Sequence, residues 1–430
     1  MIEYNQNNIQ KLALIMTITE QIQFTVRTVI EAFSGKQINI ALSGGVDSVV
    51  LAHAASHVSH ESLSCLHVNH GISDNAEKWE RFCFEFCKQI GANFKSKQFQ
   101  LKGVNNLESV ARDCRYEFFI ENLSDGDALL TAHHMDDQAE TFLLRLMRGA
   151  GVDGLASMRP TRDLGKGILA RPLLGYSKDD LIAYAKENDL NWVEDESNQS
   201  SDYDRNFLRN EVLPLLRTRW ANASSSISKS ASLCQLASEM NTVKANEWLK
   251  NCTYTEKEKL IVNDFVKNLD SDSQALLVRA WLKNNGYQAI SSGKTEYLIE
   301  RLNSLSSNDT KFTVEIENQA KIMFFDNALH IVKDDQRLTV SFMPAKKGDV
   351  GISIEPAQLE DSVYKGSLKF RFKGCNRTLK KFLQEKRVPS WEREKYPIKL
   401  LNGEVVTVGE WVSDLYLSKE PKYKPILIKK

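Results

Sequence analysis

The sequence predicts an α/β protein in which a unit built on a parallel sheet precedes a helical domain and a small α+β domain. In residues 37 to about 171, short apolar runs alternate with longer amphipathic runs, as the strands and helices of a parallel sheet do. From about residue 220 to about residue 306 apolar residues recur at helical spacing. Residues 311–333 then alternate like strands, and residues 338–430 return short β-like segments broken by glycines. The predicted domains cover residues 20–220, 221–335 and 336–430.

Strands and helices alternate in the predicted α/β unit. Strands are predicted at residues 38–42, 63–68, 94–99, 128–132 and 168–173. Helices are predicted at residues 48–56, 76–90, 107–123 and 137–148. Crossovers between parallel strands are right-handed, and ligands bind outside the carboxyl ends of such strands. Functional residues are therefore expected in the turns that follow the strands.

Composition excludes several classes of protein. A chain of 430 residues is too long for one hydrophobic core, and 42% hydrophobic with 26% charged residues is typical of globular proteins. The 56 basic and 56 acidic residues balance, so any affinity for nucleic acid must come from local patches. Seven scattered cysteines without a C-x-x-C pair argue against a disulfide framework and a zinc site.

The same composition indicates a cytoplasmic protein in a reducing compartment. No apolar run approaches the roughly 18 to 20 residues that a membrane span needs, so no membrane association is expected. The residues before Met16 are polar and lack strand periodicity. A misassigned start and a flexible extension both fit them.

A glycine-containing loop follows the first predicted strand. It reads Ser43-Gly44-Gly45-Val46-Asp47-Ser48 and leads into a helix. Strand, glycine loop and helix form a phosphate-binding arrangement, because glycines let the backbone approach an anion and helix N–H groups point at it. A carboxylate among these groups would repel phosphate unless a divalent cation lay between them, so Asp47 predicts a bridging Mg²⁺. The alternative is an ordinary capped helix start.

Two further clusters follow predicted strands. The second strand ends in His67-Val68-Asn69-His70-Gly71, and a helix then carries Arg112, Arg115 and Tyr116 on one face with Glu108. Arginines suit phosphate, although a salt-bridged surface helix is the alternative. The fourth strand leads into His133-His134-Met135-Asp136-Asp137. These side chains could bind zinc. A carboxylate paired with Asp47 instead favours Mg²⁺, held by Asp47 and Asp137.

The glycine loop resembles the SGGxDS loop of the PP-loop ATP pyrophosphatases at six positions. Further segments in order are Thr131–Thr141, Arg148–Ala156, Arg171–Leu174, Trp192–Asn198 and Arg205–Asn210. With them, the chain from residue 38 to about residue 216 resembles the tRNA(Ile)-lysidine synthetases. Ile72-Ser73 departs from the family pattern, because it replaces the usual Leu-Arg and puts a phosphate contact there in doubt.

The C-terminal region resembles the same family. Its matching residues are Arg371, Leu379–Glu385, Val388–Arg393 and Gly409–Val412. Residues 361–399 carry twelve Lys or Arg against four Asp or Glu, with interleaved Phe and Trp. Such a patch is typical of a nucleic-acid surface, and a solvated charged face is the alternative.

The resemblance implies an enzyme that joins free L-lysine to C2 of the cytidine at the first anticodon position of a CAU-anticodon tRNA(Ile). It implies a Rossmann-like PP-loop ATPase domain, ATP as co-substrate, Mg²⁺ and an adenylated cytidine intermediate. A homodimer stays open. The expected roles are ATP binding by Ser43, Gly44, Gly45, Val46, Asp47 and Ser48, and catalysis by Asp47, Arg112, His133 and Asp137. Those expected for tRNA are Arg115, Arg205, Arg371, Lys380, Lys381 and Arg393.

Two other functions are alternatives to this one. A PP-loop tRNA thiolase shares the ATP loop but needs reactive cysteines, and only Cys83-x-x-x-Cys87 comes close, on a helix predicted to be structural. A non-catalytic tRNA-binding protein would keep the basic C-terminal region. It would not need Asp47, His133 and Asp137 after strands.

Overall fold

The structure is a computed structural model that describes most of the chain. Described are residues 16–58, 63–71, 73, 75–100, 107–194, 203–252, 258–288, 290–304, 312–317, 320–333, 337–362 and 364–429. The proposed N-terminal extension, Ile72 and the motif residues 195–198 lie outside these ranges. The chain divides into two compact units between Met240 and Asn241. In the described ranges, no helix has the length and apolar character to span a bilayer.

A six-stranded sheet runs through the first unit in the part of the chain described. Its strands are β1 (Ile38–Ala41), β2 (Leu63–Asn69), β3 (Asn93–Gln98), β4 (Ala128–Leu130), β5 (Thr161–Leu164) and β6 (Gly167–Ala170). The order across the sheet is β3-β2-β1-β4-β6-β5, and every neighbouring pair is parallel except β5 with β6. The predicted α/β fold with a parallel sheet is confirmed.

Helices connect and flank these strands. They are α1 (Ile18–Glu31), α2 (Val46–Ser56), α3 (Ala76–Gln89), α4 (Leu107–Glu121), α5 (Met135–Met147), α6 (Val152–Leu155) and α7 (Lys178–Glu187). After them come α8 (Asp204–Phe207), a π-helical turn (Leu208–Val212), α9 (Leu213–Arg219) and α10 (Ala223–Leu249). His134 and Ser177 begin α5 and α7 as capping boxes, in which side chains satisfy the free N–H groups of the first turn.

The helix after the glycine loop lies in the core of the first unit. Val49, Val50, Leu51 and Ala52 of α2 are fully buried, and α2 packs between α1 and α7. A helix that is apolar on all sides is typical of such a buried position. Because β1 is buried as well, the loop between β1 and α2 is held at both ends by rigid elements.

Strand order places the ligand cleft. β1 pairs with β2 on one side and with β4 on the other. The chain therefore adds β2 and β3 on one side of β1 and the later strands on the other, so the strand order reverses between β1 and β4. In doubly wound sheets the ligand crevice opens outside the carboxyl ends at such a point. The turns after β1 and β4 carry the glycine loop and the His133–Asp137 cluster. These two sequence motifs therefore meet because of the topology.

The second unit contains four sheets within its described residues. One has the order β7-β10-β9-β8, from Lys259–Ile261, Ala328–Lys333, Ala320–Phe325 and Thr313–Glu315. It packs with α11 (Asp264–Lys267), α12 (Ser271–Asn284) and α13 (Ser292–Asn303) around fully buried Leu277 and Ile322 and the nearly buried Trp281.

The C-terminal part of this unit forms small sheets over a second core. Its strands are β11 (Leu338–Pro344), β12 (Glu360–Ser362), β13 (Lys369–Phe372), β14 (Cys375–Thr378), β15 (Ile398–Leu401), β16 (Glu404–Val408), β17 (Trp411–Val412) and β18 (Tyr423–Lys429). Two short helices, α14 (Leu379–Glu385) and α15 (Ser390–Arg393), follow β14. Phe370, Leu379 and Phe382 lie in the core, while the basic residues Arg371, Lys373, Lys380 and Lys381 around them are exposed.

Two strands escaped the sequence prediction. β5 is short and polar on three of its four residues, so it lacks the apolar run that marks a strand of this sheet. β7 lies inside the stretch predicted as helical, because its three residues are too few for a periodicity signal. Both strands are formed through pairing with apolar neighbours, β6 and β10.

Candidate active site

The glycine loop closes on the hydroxyl of Ser48. The Ser48 hydroxyl accepts hydrogen bonds from the backbone N–H groups of Ser43 and Gly44, both at 3.2 Å, and donates to the Gly45 carbonyl at 2.9 Å. Gly44 has a φ of +94°, and a Cβ there would lie 2.8 Å from Val193 Cγ2. A residue other than glycine at this position would need a strained backbone and a displaced neighbour.

The loop borders a cleft of about 390 Å³ at the carboxyl ends of the strands. Many predicted site residues line it together, namely Ser43, Asp47, Ser48, His67, Asn69, His70, Arg112, Arg115, Tyr116, His133 and Asp137. Arg205 is not among the lining residues, and the four residues predicted for the C-terminal surface belong to the second unit. Three sequence-distant motifs thus share one concave surface, as small-molecule sites do.

Asp47 holds the ammonium group of Lys178. The Lys178 Nζ donates to the two carboxylate oxygens of Asp47 at 2.7 and 2.9 Å. His134 Nε2 lies 3.8 Å from Asp47 Oδ2 and 3.5 Å from Asp137 Oδ2. The carboxylates predicted to share a cation therefore both lie within 4 Å of one imidazole nitrogen.

Asp136 and Asp137 in the first turn of α5 are kept ionised by their neighbours. Burial alone would raise the pKa of Asp137, but His134 and Arg205 lower it to about 2. The pKa of Asp136 is lowered as well: burial opposes this shift, while contacts with Ser224 and Arg217 produce it. Both carboxylates are therefore anions at neutral pH.

Arg205 and Arg209 converge on α5. Arg205 Nε donates to Glu140 at 2.8 Å and its Nη2 to Asp137 at 3.3 Å. Arg209 repeats both contacts, at 2.7 Å to Glu140 and 3.0 Å to Asp137. Glu140 itself is fully buried. The guanidinium of Arg205 thus contacts two carboxylates. The tRNA-binding role expected for Arg205 from the sequence stays a prediction.

His133 lines the cleft as a neutral imidazole. Its Nδ1 lies 2.9 Å from the Thr131 hydroxyl. Burial lowers the pKa of His133 to about 4; Asp137 opposes the shift, whereas nearby arginines, Arg171 first among them, add to it. A neutral imidazole can contact a nucleotide without adding charge to the cleft.

The helix α4 contributes a cationic wall. Arg115 donates to His70 Nε2 at 3.3 Å, and the guanidinium carbon of Arg112 lies 4.9 Å from the ring centre of Tyr116. Arg162 of β5 lies 5.0 Å from the same ring centre. Burial would raise the pKa of Tyr116, but Arg112 and Arg162 lower it. These arginines make this side of the cleft attractive to anions.

The residues present fit a magnesium ion better than a zinc ion. Asp47 offers carboxylate oxygens to the cleft, which are the ligands that Mg²⁺ prefers. Asp137 lies beside it, although Arg205 and Arg209 already contact its Oδ1. Within the described residues, no group of three or more His, Cys, Asp or Glu side chains has the arrangement of a metal site. Two carboxylates complemented by nucleotide phosphates would satisfy the ion.

The cysteines near the cleft are packed into the core. Cys83 and Cys87 of α3 are buried together with Cys65. Burial raises the pKa of Cys83 to about 12, so its thiol is neutral at physiological pH. The Cys83 sulfur lies 3.1 Å from where a Gly44 Cβ would be, which makes it part of the packing beneath the loop.

The basic C-terminal residues differ in exposure. Arg371, Lys380 and Lys381 are exposed on β13 and α14. Arg393 is partly buried, and its Nε donates to the Val388 carbonyl at 2.7 Å. The first three are available to a polyanion, while Arg393 also holds its own backbone.

Sequence reasoning did not assign roles to four charged residues of the site. These are Glu140, Lys178, Arg209 and Arg217. A signal existed for Glu140, since it follows Asp136 by four residues and Asp137 by three and so shares their helix face. Arg209 follows Arg205 by four residues, which gives the same signal. Nothing local in the sequence connects Lys178 with Asp47, because 131 residues separate them.

Two family profiles match separate parts of the chain. Residues 18–216 match the PP-loop domain, and residues 362–424 match the TilS substrate C-terminal domain. The second profile covers the basic segment recognised from its charge pattern. A solved U34-tRNA thiolase from Methanococcus maripaludis overlaps with a TM-score of 0.43 at 19% identity, over 51% of this chain and 79% of its own.

Full-length relatives resemble the chain over most of its length. A tRNA(Ile)-lysidine synthase of Legionella pneumophila (strain Paris) is 36% identical over 411 residues, covering 90% of this chain and 94% of its own. One of Coxiella burnetii is 34% identical over 402 residues, covering 87% and 89%. With the glycine loop, the strand-end cluster and the C-terminal domain all in place, the chain belongs to the tRNA(Ile)-lysidine synthase family.

Proposed function

We propose that this protein joins lysine to C2 of the cytidine at the first anticodon position of a CAU-anticodon tRNA(Ile), consuming ATP and releasing AMP and pyrophosphate. One observation carries the proposal most directly. The loop that carries Asp47 borders a cleft at the point where the strand order reverses, and His133 and Asp137 line the same cleft. That is where a doubly wound sheet binds a nucleotide.

In the first step the cytidine C2 oxygen attacks the α-phosphate of ATP and pyrophosphate leaves. The N–H groups at the α2 N-terminus hold phosphate oxygens, and Arg112 and Arg115 add positive charge from the facing wall. A Mg²⁺ ion on Asp47, with Asp137 beside it, would neutralise charge that develops on the phosphates. His133 Nε2 is proposed to contact the AMP moiety while Thr131 holds Nδ1.

In the second step the ε-amine of lysine attacks C2 of the adenylated cytidine and AMP leaves. The amine must be neutral to attack, so the site must favour loss of its proton. The lysine ammonium releases one proton to solvent before the attack, and the attacking nitrogen releases a second as AMP leaves. Asp137 is not the acceptor, because its cationic neighbours hold its pKa at about 2.

We propose that the C-terminal basic surface binds tRNA. Its candidate residues are Arg371, Lys380, Lys381 and Arg393, and the helical region of residues 221–335 is proposed as a further tRNA contact. We also propose that the protein acts in the cytoplasm, where free lysine, ATP and tRNA are present together. Salt-dependent phosphate contacts would supply the affinity, and anticodon contacts at the cleft would select the nucleotide.

The thiolase alternative is less well supported by the site. Its chemistry requires a thiolate or an activated sulfur carrier, whereas Cys83 and Cys87 are buried beneath the loop. A high thiol pKa, about 12 for Cys83, opposes thiolate formation.

The direct test is incubation with ATP, labelled lysine and a CAU-anticodon tRNA(Ile). We expect label in the tRNA together with release of AMP and pyrophosphate, and we expect both to be lost in Asp47→Asn while tRNA binding is nearly unchanged. The matched control is Asp179→Asn, an exposed carboxylate on the first turn of α7, which should incorporate normally. Sulfur transfer to the tRNA, or tRNA binding without ATP cleavage, would overturn the proposal.

A further inference from the structure

Lys178 stands at the edge of the nucleotide site with its charge placed on Asp47. Its ammonium donates to both carboxylate oxygens at 2.7 and 2.9 Å. The two side chains are 39% and 28% exposed, so water and solutes reach the pair. Asp47 belongs to the loop that borders the cleft. A cation that binds Asp47 from the cleft must therefore compete with this ammonium.

The backbone of Lys178 is fixed, whereas its side chain can move. Lys178 is the first residue of α7, and its N–H donates to Asp136 Oδ2 at 3.2 Å. The chain just before it is tied to the same turn, because the Met135 N–H donates to the Tyr176 carbonyl at 2.8 Å. A lysine ammonium sits on a flexible four-carbon stem. Its head can leave Asp47 without any rearrangement of α7.

The charges around this pair balance. The carboxylates are Asp47, Asp136, Asp137 and Glu140, and the cations in contact with them are Lys178, Arg205, Arg209 and Arg217. A divalent cation arriving alone on Asp47 would add positive charge to a cluster that already lacks any excess of negative charge. ATP brings negative phosphates along with the ion and gives the displaced ammonium a new partner.

We propose that Lys178 makes cation binding at Asp47 conditional on the nucleotide: it neutralises Asp47 before ATP arrives and then moves its ammonium to the ATP phosphate oxygens. This inference rests on the proposed function, since it requires the glycine loop to hold ATP. The exchange is feasible because a partly exposed ion pair contributes little net stability and is easily replaced. Lys178 thus contacts phosphate in the nucleotide complex and forms an ion pair with Asp47 in the free enzyme.

The test measures binding to the full-length protein in the absence of tRNA and lysine. Mn²⁺ serves as the probe, because the electron paramagnetic resonance signal of the free ion reports its binding directly. In Lys178→Met and Lys178→Gln, we expect Mn²⁺ without nucleotide to bind roughly tenfold more tightly and ATP to bind roughly tenfold more weakly, as for one lost charge-assisted hydrogen bond. Lys178→Arg, which keeps the charge, should stay closer to the wild type on both measures.

The matched control is Lys186→Met, which removes an exposed lysine from the last turn of the same helix. It should leave both affinities unchanged. If the wild type binds ATP but neither neutral variant changes Mn²⁺ affinity, or neither changes ATP affinity, the role of Lys178 is refuted while the proposed function stands. If the wild type binds no ATP at all, the proposed function itself fails. If one of the two neutral variants does not fold, the other alone decides the outcome.

Discussion

Arg209 donates to Glu140 from both Nε and Nη2, at 2.7 and 3.1 Å, and the carboxylate that accepts these bonds is fully buried. The π-helical turn begins one residue before Arg209, and the helix ahead of it carries Arg205, which binds the same carboxylate. π-Helical turns are frequent at functional sites. Arg205 of α8 and Arg209 of the π-helical turn both bind Glu140 of α5. These ion pairs therefore join α8 and the turn to α5.

Glu140→Gln should destabilise the first unit. The change leaves two guanidinium groups facing a neutral amide. Because Asp137 and water still reach these partly exposed arginines, we expect a loss of about 2 kcal/mol, below the full penalty for breaking a buried ion pair. Urea unfolding of variant and wild type measures the difference. The control is Arg148→Gln, which breaks the exposed Arg148–Asp204 pair at 3.8 Å and should change stability by less than about 0.5 kcal/mol. Equal effects of the two changes would contradict the structural role of Glu140.

Gly44→Ala should damage the loop more than Gly45→Ala. Gly44 has positive φ, and its new Cβ would press on Val193 at 2.8 Å and Cys83 at 3.1 Å. A Cβ on Gly45 meets only the Ser43 hydroxyl at 3.6 Å, which is ordinary contact. We expect a loss of about 1 to 3 kcal/mol for Gly44→Ala in thermal or urea unfolding, with weakened ATP binding. A loss no larger than that of Gly45→Ala would argue against a strained loop.

Lys380→Glu combined with Lys381→Glu should weaken tRNA binding. If both side chains contact phosphates, the slope of log affinity against log salt should fall in magnitude by about 2, roughly one for each lost contact. Filter binding between low and physiological salt measures this slope. Lys88→Glu with Lys186→Glu carries the same charge change on exposed helix positions of the first unit and serves as the control. An unchanged slope in the first variant would exclude the two lysines from the interface.

Acid should destabilise the protein in part through His133. Above pH 6.5 the imidazole is neutral in both the folded and the unfolded chain, so it contributes nothing. As pH falls toward about 4, the unfolded chain binds the proton and the folded chain, in which burial lowers the pKa of His133 to about 4, does not. Stability is therefore lost through this window, by about 2 kcal/mol at pH 5.

His133→Gln should reduce that loss, which urea unfolding at pH 7.5 and pH 5 will show. His70 and His53, whose pKa values burial also lowers to about 4, should keep a residual dependence in the variant. Lys186→Gln, at an exposed position of α7, is the control and should show the same acid loss as the wild type. The same acid loss in His133→Gln and wild type would show that His133 does not titrate as described.

Much of the catalytic fold could be predicted from the sequence, because its signals are local. Hydrophobic periodicity located β1 to β4, β6 and their helices within a few residues, and the glycines of the Ser43–Ser48 loop marked the phosphate site directly. The short strands β5 and β7 gave no such signal, since pairing with β6 and β10 defines them. Local propensity is weak for three or four polar residues, and tertiary contacts decide their conformation.

By itself, the sequence determined the α/β class, the glycine loop, the strand-end cluster and the basic C-terminal patch. Each of them follows from a pattern within one continuous segment of the chain. Only the tertiary structure decided which charges neutralise which. Lys178 meets Asp47 across 131 residues, and Arg209 meets Glu140 across 69. The physical reason is that the reversal of strand order at β1 brings distant strand ends to one edge of the sheet, where burial makes every carboxylate require a cationic partner.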